Sequence, residues 1–246
     1  MNGLLAAEFL KLRTTRTVWA LLAATLAVTA LAVAGVIAAV ADSTVLSLES
    51  ERGIRTVLHV SVSGGIFVLV LGVIISAGEY RQGTATDTFL TTPRRWLVIV
   101  AKLITGATAG VLFGALSAGV AIGVAIALYA LQGYVFPLGS SEAWSILAGT
   151  VLYATLFGAL GAATGSLVRN QVAAIVGWLA WLFVVETIVL GFAPEVGRWL
   201  PATAGRALVR DPSGDLLTQP VAAVVLAIYA IVIMSIAVVV ERRRDA

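Results

Sequence analysis

The stretch from Thr17 to Ala41, TVWALLAATLAVTALAVAGVIAAVA, decides the fold class. It contains no charged residue over 25 positions, and Arg16 and Asp42 bound it on the two sides. An α-helix rises 1.5 Å per residue and needs about 20 apolar residues to cross the hydrocarbon core of a bilayer. The stretch is therefore long enough to form one membrane-spanning helix.

The rest of the chain repeats this pattern. Charged residues separate long apolar stretches at residues 56–78, 103–141, 143–168, 170–194 and 216–240. The second of these is too long for one span and too short for two, so we predict a helix over Leu103–Tyr129 and then a Gly- and Pro-containing loop. The sequence predicts an all-α polytopic membrane protein with six transmembrane helices in a single domain, residues 1–246.

Composition excludes several other classes of protein. Of the 246 residues, 60% are hydrophobic and only 12% are charged, whereas a soluble domain carries about 25% charged residues. Disordered and nucleic-acid-binding chains need far more polar or basic residues, so we expect a lipid bilayer and no nucleic acid as a partner. With no cysteine and only one histidine, we expect no metal site.

The basic residues predict the orientation. If the N-terminus is cytoplasmic, the inner segments hold eleven of the Lys and Arg residues and the outer segments hold five. Cytoplasmic loops carry the excess of positive charge in membrane proteins. We therefore expect a multi-pass protein with both termini in the cytoplasm.

Residues 1–16 precede the first span. Leu4, Leu5, Phe9 and Leu12 fall on one side of a helical wheel, and Glu8, Lys11 and Arg13 fall elsewhere. This pattern predicts an interfacial amphipathic helix at the inner membrane surface. The alternative is a charged flank that only anchors the first span.

The chain has no room for a soluble catalytic domain. The longest segment expected outside the bilayer is residues 78–102, whereas the smallest independent domains need about 50 residues. The sequence also lacks the G-x-x-x-x-G-K-[ST] phosphate loop. We expect a protein that is not an enzyme and that holds no cofactor, so any ATP it uses is hydrolysed by another subunit.

The segment 78–102 is the most informative loop, because it combines helix-capping, helix-stopping and apolar residues. Gly83 permits a sharp change of direction, Thr84 or Thr86 can cap a short helix, and Pro93 ends it. Phe89 and Leu90 would then be available for contact with a partner. The residues alone fit equally well with a docking helix and with a solvated hairpin that only fixes topology.

This segment resembles the first intracellular loop of permease subunits of type-2 ATP-binding-cassette (ABC-2) exporters. The resemblance lies in the run Gly78-Glu79-Tyr80-Arg81-Gln82-Gly83-Thr84, then Leu90, then Pro93-Arg94-Arg95 ahead of Lys102. The opening residues 8–16 also resemble the interfacial connecting helix of that family, and six spans in about 250 residues match its usual layout.

The resemblance implies a function and a set of site residues. The family works as two permease chains, forming a homodimer or related heterodimer, with two ATPase chains that bind ATP and Mg²⁺. By resemblance, the loop couples to the ATPase through Glu79, Tyr80, Arg81, Gly83, Thr84, Thr86, Phe89, Leu90, Pro93, Arg94 and Arg95. Arg169, Asn170 and Gln171 form the second inner loop, and the outer segment 191–215 is expected to contain short helices. The Ala-, Val-, Arg- and Gly-rich composition suggests a high-GC bacterial genome, and we expect the protein in the bacterial cytoplasmic membrane.

Three residues in the fifth span are candidates for the translocation path. Glu186 is the only acid within a span and lies about 25 Å along the helix from Arg169. It fits a substrate or proton site, or a carboxylate paired near the outer surface with Arg198 or Arg206. Trp178 and Trp181 fit either a substrate cavity or lipid-facing packing.

Alternative functions use the same residues differently. A proton-coupled secondary transporter would use Glu186 as its relay and would need no ATPase. A non-transporting membrane anchor or sensor would use the inner loop only to recruit a partner. The chain also carries glycines at four-residue spacing, Gly106, Gly110 and Gly114 and again Gly119 and Gly123, which favour close helix packing.

Overall fold

A computed structural model describes residues 2–41, 48, 50–82 and 95–243, with only the backbone described at 2, 81, 82, 95, 242 and 243. Within these residues every regular element is helical. The helices are α1 (Asn2–Thr14), α2 (Arg16–Ala41), α3 (Glu51–Leu58), α4 (Gly65–Gln82), α5 (Arg95–Leu131), α6 (Ser141–Val168), α7 (Gln171–Ala180), α8 (Glu186–Phe192), α9 (Pro194–Gly197), α10 (Pro201–Leu208) and α11 (Gln219–Arg243). A 3-10 turn (His59–Val62) follows α3, and a π-helical turn (Trp181–Val185) joins α7 to α8.

The described residues contain six helices that are long and apolar enough to cross a membrane, which confirms the predicted number of spans. They cover Arg16–Ala41, Glu51–Tyr80, Trp96–Leu131, Ser141–Val168, Gln171–Phe192 and Gln219–Glu241. The all-α fold class is confirmed as well. An even number of spans agrees with the prediction that both termini lie on the cytoplasmic side.

Two spans differ in detail from the sequence prediction. The third was expected to begin at Leu103, but α5 begins at Arg95, because the apolar run that starts at Trp96 contains no residue that stops a helix. The second is not one straight helix. It turns at Ser63 and Gly64, where a Cβ on Gly64 would lie 2.5 Å from the Thr25 side chain, so a larger residue would prevent the contact with α2.

The fourth span, α6, is the centre of the molecule. It packs against α4, α5 and α11, and most of its residues are buried. Glycines allow the close approach: a Cβ on Gly158 would lie 2.3 Å from the carbonyl oxygen of Gly106, and one on Gly161 would lie 2.1 Å from that of Leu69. Small residues at helix crossings let backbones touch in this way.

Local signals set the ends of several helices. Ser140 caps α6 by accepting a hydrogen bond from the backbone N–H of Ala143, and Asn170 caps α7 in the same way through Ala173. Serine and asparagine are preferred at these positions because their side chains satisfy an otherwise unpaired N–H. In the segment 191–215, the short helices α9 and α10 each begin with a proline, whose fixed φ suits the first helical position.

The N-terminal segment forms the helix α1, but its amphipathic character is not confirmed. The best-buried side chain of α1 is the charged Glu8, which is 1% exposed, whereas Phe9 of the predicted apolar face is 36% exposed. Tertiary ion pairs, described next, account for this burial. The position of α1 in the membrane interface stays a prediction.

Candidate functional site

Three helices meet at one end of the molecule in a cluster of four charged residues: Glu8 and Lys11 from α1, Glu79 from α4 and Lys102 from α5. We call this set the inner charge cluster, after the cytoplasmic side on which the sequence predicts it. Lys11 lies one helical turn after Glu8, so both side chains project from the same face of α1. Glu79 lies in the last turn of α4 before residues 83–94, and Lys102 lies in the second turn of α5 after them.

Each acid in the cluster pairs with both lysines. The Lys102 ammonium lies 3.0 Å from Glu79 and 3.5 Å from Glu8, and the Lys11 ammonium lies 2.8 Å from Glu8 and also bonds Glu79. Lys102 further donates to the carbonyl oxygen of Ile75 at 3.3 Å. Two positive and two negative charges therefore balance within one contact network.

Three members of the cluster are nearly inaccessible to solvent. The side chains of Glu8, Lys102 and Glu79 are 1%, 4% and 9% exposed, and that of Lys11 is 50% exposed. Burial by itself would lower the pKa of Lys11, but its hydrogen bonds and charge interactions with Glu79 and Glu8 outweigh burial and raise the pKa. Lys11 therefore stays charged at neutral pH.

The cluster joins the two helices that flank residues 83–94 to the N-terminal helix. Removing one partner of a buried ion pair costs about 3–5 kcal/mol of unfolding free energy. We therefore expect the last turn of α4, the first turns of α5 and the helix α1 to move together. A cleft of about 220 Å³ opens beside them, lined by Glu8, Lys11, Glu79 and Gln171 with apolar residues of α2 and α4.

Most of the predicted coupling residues lie outside the described part of the chain. These are Gly83, Thr84, Thr86, Phe89, Leu90, Pro93 and Arg94, and only the backbone is described for Arg81 and Arg95. Of this set, the structure places the side chains of Glu79 and Tyr80. Glu79 faces inward to the lysines, so within one chain its carboxylate links helices to one another.

Tyr80 belongs to a second contact at the same end of the molecule. The guanidinium of Arg169 lies over its ring, 4.9 Å from the centroid, and also forms an ion pair with Glu241 of α11. Arg169 has a φ of 56°, the left-handed conformation that ends many helices. The predicted second inner loop, Arg169-Asn170-Gln171, is thus a tight link between α6 and α7 that also contacts α4 and α11.

Glu186 does not form the ion pair with Arg198 or Arg206 that the sequence offered as one interpretation. Its carboxylate, 1% exposed, accepts hydrogen bonds from the backbone N–H of Ala202 at 2.9 and 3.0 Å and of Thr203 at 3.3 Å. These N–H groups are the unpaired donors of the first turn of α10, where negative charge is favoured. Glu186 therefore fastens α10 to the fifth span.

The two tryptophans of the fifth span have different surroundings. Trp178 is 8% exposed, and its indole N–H donates to the hydroxyl of Thr164 in α6 at 3.0 Å, so it packs inside the chain rather than against lipid. Trp181 is 39% exposed and begins the π-helical turn, where its carbonyl oxygen accepts a hydrogen bond from the backbone N–H of Glu186. A translocation path at either residue stays a prediction.

Glu8, Lys11 and Lys102 were not among the predicted functional residues. A signal was available for Lys102, because it is a lone charge inside an otherwise apolar helix, and such residues are costly unless they are paired. The sequence gave no comparable signal for Glu8, which had been placed on the polar side of α1. Its partner in α5 lies more than ninety residues away, so only the tertiary fold brings them together.

Comparison with known families identifies the class of protein. A family model described as "ABC-2 family transporter protein" matches residues 4–189, about three quarters of the chain. The chain belongs to the ABC-2 transporter family. The matched region of this ABC-2 permease contains the whole inner charge cluster and Glu186, and it ends before the helices α9 and α10. A search of the curated proteins finds no match.

Family membership confirms the resemblance that the inner loop indicated. It supports a multi-pass transport component of the membrane and agrees with a subunit that does not itself hydrolyse ATP.

Proposed function

We propose that this ABC-2 permease is the membrane-spanning subunit of an ATP-driven exporter in a bacterial cytoplasmic membrane, with both termini in the cytoplasm. Two copies form the translocation path, and each docks a separate ATPase, which binds ATP and Mg²⁺, through residues 83–94. The observation that supports this proposal is the inner charge cluster, because it joins both helices that flank these residues to α1.

The cluster suits the transmission of movement. A displacement of residues 83–94 acts on the ends of α4 and α5, and the buried ion pairs of Glu79 and Lys102 pass it to α1 through Glu8 and Lys11. Breaking these pairs is costly, so the three ends move as one body while the spans repack between inward-facing and outward-facing states. Arg169 carries the movement further to α11 through Glu241.

A second copy of the chain is supported by the exposed apolar surface of the fifth and sixth spans. Phe183, Ile188 and Ile231 are more than half exposed, and in a membrane such surfaces are covered by lipid or by other helices. We infer that part of this surface faces the second permease chain and the path between them.

A proton-coupled transporter is not favoured by the contacts of Glu186. Both carboxylate oxygens accept backbone hydrogen bonds within the chain, so they hold a helix in place. The membrane anchor or sensor remains an outcome of the test below.

The test is co-purification. The chain is expressed with each ABC-type ATPase of the same genome and purified in detergent, and the subunits are counted by native mass spectrometry. We expect two permease and two ATPase chains. Replacing residues 84–92 with a Gly-Ser segment of equal length removes the ATPase, whereas replacing residues 133–139 on the opposite side does not. ATPase binding without ATP-dependent transport in vesicles would indicate the anchor or sensor instead.

A further inference from the structure

A cleft of about 360 Å³ lies at the end of the molecule opposite the termini, between the end of the fifth span and the segment that leads into the sixth. Leu190, Pro194 and Leu216 form apolar walls, and Arg198, Thr203 and Arg206 contribute polar groups together with the acids Glu195 and Asp215. Neither the proposed coupling nor the proposed dimer uses it.

Two buried polar atoms at this cleft have no hydrogen-bond partner among the residues that the structure describes. They are the hydroxyl of Thr203, whose residue is 2% exposed, and the Nε of Arg198. Buried polar groups are nearly always paired, and leaving one unpaired is costly. The Nε of Arg198 can only donate, so the missing partner must offer a hydrogen-bond acceptor.

Arg198 is the cleft residue whose charge is available to an anionic partner. Arg198 pairs with Glu195 at 3.0 Å and with Asp215 at 3.5 Å, but these carboxylates are 80% and 91% exposed, so the pairs contribute little and exchange readily. Arg206 is held differently, by the nearly buried Asp211 at 2.6 Å and by Ser213. Burial would raise the pKa of Asp211, but its bonds from Arg206 and Ser213 outweigh burial and lower it, so Arg206 keeps its position.

The surroundings of the cleft match the headgroup level of a membrane. Phe192 and Trp199 are 90% and 44% exposed, and each lies within two residues of a residue that lines the cleft. Aromatic side chains are enriched at this level. A partner here must therefore combine an anionic acceptor with apolar groups that can lie along Leu190 and Leu216.

We propose that this cleft binds the phosphate ester of a membrane lipid headgroup from the leaflet opposite the chain termini, with Arg198 and Thr203 donating to its oxygens. Arginine suits this role because its planar guanidinium offers several donors to a phosphate. The lipid replaces the exposed acids as the partner of Arg198.

The experiment measures binding by the full chain in dodecyl maltoside, a detergent without phosphate. The probe is dihexanoyl phosphatidylglycerol, and the dissociation constant is obtained from the ligand-dependent rise in unfolding temperature. Dihexanoylglycerol, which lacks the phosphate, and inorganic phosphate, which lacks the chains, are the comparison probes. We expect saturable binding of the phospholipid and binding at least about tenfold weaker for both comparisons.

Variants locate the site. Arg198→Gln is expected to weaken phospholipid binding about tenfold or more, because a charge-assisted hydrogen bond is lost. The near-isosteric Thr203→Val should weaken it several-fold, and Asp215→Asn should strengthen it because a competing acid is removed. Arg52→Gln, at an exposed arginine on the same side, is the matched control and should leave binding unchanged.

Three results would overturn the proposal. Equal binding of dihexanoylglycerol would exclude a role for the phosphate, and equal binding of inorganic phosphate would indicate a site for free anions rather than for lipid. Normal phospholipid binding by both Arg198→Gln and Thr203→Val would place the lipid elsewhere. If Arg198→Gln does not fold, the other two variants still test the proposal. Thr203→Val should weaken phospholipid binding and Asp215→Asn should strengthen it, and unchanged binding by both would contradict the proposed site.

Discussion

Lys102 is the residue on which the inner charge cluster depends most. Its ammonium contacts both buried acids, and its side chain is 4% exposed. Lys11 contacts the same acids but is half exposed, so water can replace part of its interaction. The two lysines therefore make unequal contributions to stability, although their contacts look alike.

This difference can be measured with two matched variants. Lys102→Met leaves Glu8 and Glu79 with only the exposed lysine, and we expect a loss of about 3–5 kcal/mol of unfolding free energy. Lys11→Met should lower the unfolding free energy by only about 1 kcal/mol or less, because the Lys11 side chain is half exposed. The measurement is thermal unfolding of each purified variant in the same detergent. An equal fall in unfolding temperature for both would contradict the assigned burial.

Glu186 makes a second prediction at this scale. Glu186→Leu leaves the N–H groups of Ala202 and Thr203 without their acceptor, at about 1–3 kcal/mol for each unpaired group. Glu186→Gln keeps one acceptor oxygen and should therefore lose less unfolding free energy than Glu186→Leu. Hydrogen exchange at amides 202 and 203 should be fastest in the leucine variant, intermediate in the glutamine variant and slowest in the native chain. If the amides stay equally protected in all three proteins, the carboxylate is not their acceptor.

The glycines show what the sequence could and could not predict about the helices. Gly106, Gly110, Gly114, Gly119 and Gly123 all lie on α5 at similar spacing, and all were equal candidates for packing. In the structure, a Cβ on any of the first three would lie within 3 Å of α6, whereas Gly119 and Gly123 have no neighbouring atom within 4 Å of a Cβ. The spacing indicates a helix that can pack closely, but the crossing point depends on how α6 lies across it.

Paired alanine substitutions test this packing. A Cβ on Gly110 would lie 2.3 Å from the carbonyl oxygen of Ala154, a backbone atom that cannot rotate away. We expect Gly110→Ala to lose about 1–3 kcal/mol through overpacking, which exceeds the gain of up to about 1 kcal/mol in helix propensity. Gly119→Ala should leave the unfolding temperature unchanged or slightly raised. An unfolding temperature of Gly110→Ala equal to that of the native chain would contradict the close contact between α5 and α6.

The sequence predicted the spans better than the connections between them. Apolar length alone determines that a helix can cross the bilayer, so all six spans were found. The partners of Glu186 could not be predicted from the sequence. They are backbone N–H groups, which every residue except proline has, and the position of α10 beside Glu186 depends on the direction that the chain takes through α9. The inner charge cluster required α1, α4 and α5 to be positioned together, which local patterns do not specify.

At the scale of the whole molecule, the orientation of the chain can be tested without altering any native thiol, since the protein has no cysteine. Asp87→Cys places a thiol in the inner loop, and Gln132→Cys places one in the loop on the opposite side. In intact cells, a membrane-impermeant maleimide should label position 132 and not position 87, and both should react after the cells are opened. Labelling of position 87 in intact cells would reverse the proposed orientation.

The contact of residues 83–94 with a separate ATPase is the centre of the proposed function, and site-specific photo-crosslinking measures this contact directly. The photoreactive residue p-benzoylphenylalanine replaces Phe89 in one variant and Tyr134, on the opposite side, in the other. Each chain is expressed with the ATPase that co-purifies with it and is irradiated in native membranes. We expect a covalent permease–ATPase product from position 89 and none from position 134. No product from position 89, with the complex intact, would contradict the proposed docking.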